Sequence, residues 1–251
     1  MRDFTLYQYT NLLKTFLGNG YTFQTFEQFI QSPSEKVVVL RHDVDLKAVN
    51  SLRTAEIEHQ LGIAGSYYFR VIPQSNNPEV ITKIVGLGHE IGYHYEDLSL
   101  FKGNFQLSIH HFEKQLNYFR CFYPVITICM HGSPLSKIDN RSLWDKYNYR
   151  DFGIIGEPYF DVDFNTVLYL TDTGRRWDGS RFSVRDKVNT HFTQRFKATD
   201  DIIAAITAKT LPSKIMVTVH PQRWTDNYVD WSKELLLQNL KNAVKSFLIK
   251  R

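Results

Sequence analysis

The string Arg41-His42-Asp43-Val44-Asp45 sets two carboxylates two residues apart, directly after the apolar run Val37-Val38-Val39-Leu40. Residues two apart on a strand point to the same side, so Asp43 and Asp45 project together where the strand ends. Neighbouring carboxylates repel unless a positive group joins them or one takes up a proton. A divalent metal answers that requirement, with one acid as ligand and the other as base. Arg41 is a second source of positive charge, as salt-bridge partner of either acid. The plain alternative makes Asp45 the N-cap of the next helix. His42 points the other way on a regular strand and is read as structural.

Four further apolar runs end in chemically capable residues: His89–His94 in His94, Val125–Met130 in His131, Thr166–Leu170 in Asp172, and Lys214–Val219 in His220. Between them lie helical patterns, the clearest being Phe105, Ile109, Phe112, Leu116 and Phe119 at 4,3,4,3 spacing. Further helices are expected over about 4–17, 47–60, 79–85 and 200–209. A C-terminal helix carries Leu236, Leu240, Val244 and Phe247 on one face. Strands alternating with helices imply parallel strands with crossover helices. The matching fold class is α/β, and in such a barrel the site gathers at the C-terminal strand ends. Five strand ends bearing acids and imidazoles favour a convergent site over a helix cap.

The loop Thr171–Gly179, dense in polar and aromatic groups, reads as a substrate loop that includes Asp172, Trp177 and Asp178. Arg223 and Trp224 follow His220 as a cleft wall, with Trp224 suited to stacking on a sugar ring. With 30 basic and 26 acidic residues the net charge is only +4, too weak and too dispersed for nucleic acid. Cys121 and Cys129 lack zinc-finger spacing and are read as buried free thiols. No run reaches membrane-spanning length and no apolar signal core follows Met1, so the expectation is a soluble, cytoplasmic protein.

Taken together, Arg41-His42-Asp43-Val44-Asp45, Gly88-His89-Glu90-Ile91-Gly92-Tyr93-His94 and His220-Pro221 resemble the polysaccharide deacetylase superfamily, with its nodulation-deacetylase homology domain (carbohydrate esterase family 4-like). The resemblance covers roughly residues 36–225. It implies a distorted (β/α) barrel of about seven parallel strands. Residues 1–35 are then an N-terminal helical extension and 226–251 a C-terminal helix, within one domain, 1–251. It also implies a metal-dependent deacetylase hydrolysing the C–N amide bond of an N-acetylated sugar, in a surface polysaccharide or its precursor. Asp43 would be the general base, Asp45 and His94 metal ligands, and His220 the general acid. The metal would be zinc, with cobalt, nickel or manganese as alternatives, and the partner a carbohydrate substrate.

The chain departs from the family where the second metal histidine should stand, which here is Leu98. Asp97 and Glu96 are the local oxygen donors; Asp97 is taken as the third ligand, with water as a further option. The family's third motif has an arginine contacting the base. Here His131 either takes that place beside Asp43 or supplies the missing ligand. The acid-plus-tryptophan pair that orients the late histidine matches Trp177-Asp178 or Asp172. The departure keeps two alternatives open: a catalytically impaired barrel that binds a glycan or a partner enzyme, and a hydrolase of non-sugar cyclic amides.

Overall fold

The computed structural model describes residues 2–177, 185 and 187–249, with side chains on the last helix through Ala243. Among the described residues, seven strands form one parallel sheet. They are β1 (Thr22–Gln24), β2 (Val37–Val44), β3 (Ser66–Phe69), β4 (Glu90–Tyr95), β5 (Ile128–Met130), β6 (Leu168–Thr171) and β7 (Lys214–Val219). Their order is β5-β4-β3-β2-β7-β6, with β1 beside the first half of β2. A single parallel bridge from Thr127 to Gly156 extends the sheet beyond β5. Among the described residues no pairing joins that edge to β6, so the barrel is a curled sheet with a seam.

The helices are α1 (Leu6–Gly18), α2 (Phe26–Gln31), α3 (Ala48–Gln60), α4 (Pro78–Gly86), α5 (Asp97–Leu100), α6 (Phe105–Arg120), α7 (Pro158–Asp161), α8 (Thr199–Thr207) and α9 (Tyr228–Ile249). Their starts follow local chemistry. Thr5 caps α1, Thr25 and Gln28 form a capping box on α2, and Asn77 with Pro78 opens α4.

All eight residues of β2 are buried, because both faces are covered. Val38 and Leu40 face an outer cluster with Leu12, Leu13 and Phe16 of α1, Ile202 of α8 and Trp224. Val37 and Val39 face inward with Tyr68, Cys129 and Met216. The segment before residue 36, read as a helical extension, therefore supplies both a strand and a helix that seals one face of the sheet. Each such leucine or phenylalanine contributes roughly 1.5–3 kcal/mol by burial.

His42 turns outward as expected. It stacks on Tyr67 with ring centroids 3.9 Å apart, and its Nε2 lies 3.0 Å from Glu58 Oε1. Tyr9 and Tyr67 donate to the same oxygen, so this buried carboxylate ties α1, α3, β2 and β3 together. His89 is likewise structural: Gly65 N–H donates to its Nδ1, and its Nε2 faces Ala55 O at 3.0 Å.

Gly92 leaves the space that the buried Tyr68 ring occupies; a Cβ there would lie 2.3 Å from two Tyr68 ring carbons. Gly92→Ala is expected to cost about 3 kcal/mol through overpacking and to lower the melting temperature by roughly 6–12 °C. A thermal scan showing no change would mean the ring has room to move.

Candidate active site

Asp43 ends β2 pointing inward, and the chain turns at once, with Asp45 N–H donating to Asp43 O at 3.0 Å. Helix α3 does not use Asp45 as its cap; its N-cap is Lys47, in a left-handed conformation and without a side-chain cap bond. Inward alternation then places the imidazoles: Gly92 and His94 on β4, Cys129 and His131 along β5, Thr218 and His220 along β7. His131 extends the ladder by one bond, its N–H donating to Tyr95 O at 2.8 Å.

Three imidazole Nε2 atoms converge on Asp45. His94 lies 3.6 Å and His131 3.5 Å from Oδ1, and His220 lies 3.8 Å from Oδ2. Asp45 Oδ1 is buried without a hydrogen-bond partner. Burial pushes the Asp45 carboxyl up, but His131, His94 and His220 outweigh it and hold the group well below its ordinary value.

The far nitrogens of these rings are anchored. His94 Nδ1 faces Cys129 O at 3.0 Å, and His131 Nδ1 faces Glu96 Oε2 at 2.8 Å. Arg70 holds the other oxygen of Glu96 at 2.6 Å. Burial raises the Glu96 carboxyl, yet His131 and Arg70 bring it down to about 2. An imidazole bonded through Nδ1–H presents its Nε2 lone pair inward, the usual support of a metal-ligating histidine.

Asp43 is held differently. Arg41, on the same face of β2, donates Nε to Oδ1 at 2.8 Å and Nη2 to Oδ2 at 2.6 Å, a bidentate pair. Burial raises Asp43, but Arg41 and then His94 pull it far below the ordinary carboxylate range. Arg41 thus neutralises Asp43 from two residues away on the same strand.

Asp43, His94 and Cys129 also bring one potential ligand atom each within 4.8 Å of one another. Both Asp43 oxygens already face a guanidinium, however, and a cation there would sit against Arg41. The set Asp45, His94 and His131 has no such conflict. One carboxylate and two imidazoles are donor types that divalent transition metals take.

His220 has its own support. Asp172 accepts at Oδ1 from His220 Nδ1 (2.5 Å) and Arg223 Nη1 (2.7 Å), and at Oδ2 from His220 N (3.0 Å) and Trp224 Nε1 (2.7 Å). Burial and Arg223 lower the His220 pKa, but Asp172 outweighs them and leaves it raised. Asp172 therefore holds His220 in place, and Trp224 in turn holds Asp172.

Several assignments read from sequence change. Asp97 does not reach Asp45; it takes Tyr93 OH at 2.9 Å and His111 Nδ1 at 2.5 Å beneath α5, because the chain has already turned into a helix. His111 is thus half-buried. Leu98 lies in the apolar cluster of β4 and α6. Trp224 is fully buried, and Trp177 packs in the core with its Nε1 donating to Thr199 Oγ1. Neither can form a cleft wall. Asp172 and Arg223 are buried beside His220, with Asp172 Oδ1 accepting from both. Asp178 lies outside the described residues. Cys121 is exposed and only Cys129 buried.

Sequence reasoning missed the supports Arg70 and Tyr159. Arg70 follows β3 directly, a strand-end position that alternation flags. Tyr159, whose OH accepts from Arg41 Nη2 at 3.2 Å, comes from the seam and carries no local signal.

Glu157, also at the seam, is fully buried and accepts from Met130 N–H at 3.0 Å and Tyr159 N–H at 2.6 Å. Burial pushes its carboxyl up to about 7, against the backbone donors and Arg41, which lower it. A folded-state pKa above the unfolded 4.5 stabilises the fold below that value, and the contribution disappears as pH rises through 7. The stability difference between wild type and Glu157→Gln should therefore fall by up to about 3 kcal/mol from pH 5 to pH 8. Urea midpoints at the two pH values measure it; an unchanged difference refutes the buried-acid account.

No helix among the described residues is long and apolar enough to cross a membrane. No family model and no curated protein matches the chain. Solved structures do show a likeness. One is a carbohydrate esterase family 4 pseudoenzyme from Bacillus anthracis, with TM-score 0.43 and 15% identity over 85% of this chain; the match spans 62% of that protein's chain. Another is the family 4 esterase domain of a multidomain xylanase from the hindgut metagenome of Trinervitermes trinervoides, with TM-score 0.42, 13% identity and coverage of 84% of this chain and 85% of that one. A third is the family 4 carbohydrate esterase of Streptomyces lividans in complex with acetate, with TM-score 0.40, 14% identity and coverage of 84% and 87%.

Proposed function

We propose that this chain is a metal-dependent amide hydrolase that removes the acetyl group from an N-acetylated sugar of a surface polysaccharide or its precursor. The observation that carries the reading is the convergence of His94 and His131 on the partnerless Asp45 Oδ1. These three residues would hold the ion. His131 then leaves the catalytic group for the ligand set, and Asp97 leaves the ligand set. The bound ion would polarise the acetamide carbonyl and lower the pKa of a water.

The remaining work falls to the chain's own groups. Asp43, kept ionised by Arg41, accepts the proton of the attacking water at a carboxylate oxygen. Arg41 keeps that carboxylate in one orientation throughout. His220, its Nδ1 tied to Asp172 and its charged form favoured, donates the Nε2 proton to the departing sugar nitrogen. Water adds across the C–N bond, leaving acetate and a free amine.

The test is metal analysis of the purified chain together with acetate release from N-acetylated oligosaccharides. The reading expects about one equivalent of zinc, cobalt, nickel or manganese and metal-dependent release. Absence of metal affinity, or ring opening of cyclic amides without acetate release, would overturn it.

A further inference from the structure

Helix α9 is built the wrong way round for a helix that packs only on its own fold. It turns amides inward: Gln238 and Asn242 are buried, Gln238 Nε2 donates to Asn242 Oδ1, and Asn242 Nδ2 donates to Gly174 O at 2.8 Å. It turns leucines outward: Leu236 is 70%, Leu237 54% and Leu240 64% exposed, with Val229 at 56% two turns before Leu236. At 100° per residue these four share an arc opposite Gln238 and Asn242, with the exposed Lys233 among them. Exposed apolar side chains gathered on one face mark an interaction surface.

The charges beside that arc say what covers it. Asp230 and Glu234 flank its first half; Lys241 occupies the same flank of its second half. An identical helix laid antiparallel, with the two-fold axis near Gln238, sets Leu236 against the partner's Leu240. It also sets Glu234 beside the partner's Lys241. A two-fold interface repeats every such pair, residue i meeting j and j meeting i. An anionic bilayer fits less well, because a helix lying on lipid carries basic residues along its polar edge, whereas this flank is acidic over its first half.

We propose that the α9 face is a self-complementary dimer interface, occupied by a second, antiparallel copy of this chain. The interface braces the site from behind. Besides the Asn242 bond to Gly174, Arg175 Nη1 donates to Trp231 O at 2.8 Å, so α9 holds the loop that begins with Asp172. The proposal does not rest on the hydrolase reading and is tested without an activity assay.

Sedimentation equilibrium of the full chain is expected to show a concentration-dependent dimer. Leu236→Asp with Leu240→Asp, at exposed positions, is expected to weaken it about a hundredfold or more while the monomer keeps the wild-type circular dichroism spectrum. Glu234→Lys and Lys241→Glu should each shift the chain toward monomer, and the double swap should restore the dimer. Glu234 also lies in the field of Arg175, so restoration by the double swap is the decisive arm. A chain monomeric at high micromolar concentration overturns the proposal. So do a dimer indifferent to the leucine changes and a monomer that binds phosphatidylglycerol vesicles through α9.

Discussion

Asp43→Asn is expected to lower kcat for acetate release by about 10²–10⁴ while the bound metal stays at its wild-type stoichiometry. An amide cannot accept the water's proton, yet it nearly preserves the shape of the side chain. The substitution also strips Arg41, fully buried, of its counter-charge. Removing one member of a buried ion pair costs about 3–5 kcal/mol, so the melting temperature falls as well. The rate is therefore measured where circular dichroism shows the variant folded. Full activity in folded Asp43→Asn would remove Asp43 as base. Loss of metal together with activity would instead make it a ligand.

His131→Ala is expected to reduce zinc affinity about a hundredfold or more, read by calorimetric titration. It deletes one of two imidazoles facing Asp45 Oδ1 and leaves that buried oxygen with only His94. Glu96→Gln, which touches the ion only through His131, should cost about 10–100-fold. Adding Leu98→His to His131→Ala should not restore binding, because position 98 is buried in the apolar cluster between β4 and α6. The competing donor set gives the opposite pattern. If Cys129→Ser abolishes zinc binding and His131→Ala leaves it unchanged, the ion belongs with Asp43, His94 and Cys129.

The fold was legible where apolar runs were long. The runs ending in Asp43, His94, His131, Asp172 and His220 all precede or contain strands at the expected places. The strand Thr22–Gln24 was not, since three residues carry no period and their partners, Val37–Val39, are distant in sequence. The site was legible to the extent that strands alternate. Gly92 and His94, Thr218 and His220, and Arg41 and Asp43 are pairs two apart, and each shares one face.

The misreadings came from the residues past the strand ends, where the period stops. Asp97, Trp177 and Trp224 all looked like site residues by composition and position. Their side chains are committed to His111 and Tyr93, to Thr199, and to Asp172. A buried polar group must find a partner, and for each of these the nearest partner lay away from the mouth of the sheet.

By itself, the sequence determined which side chains end the inward face of each strand, because a period of two is a local property of the backbone. Tertiary structure alone decided how they divide the chemistry. Arg41 neutralises Asp43, so Asp45 is the acid left with an open oxygen. Glu96, anchored by Arg70, aims His131 at that oxygen, while Leu98 is buried among apolar side chains. Those roles depend on distances between strands that neighbour one another only after the sheet has curled, and on burial that leaves a single oxygen unpaired.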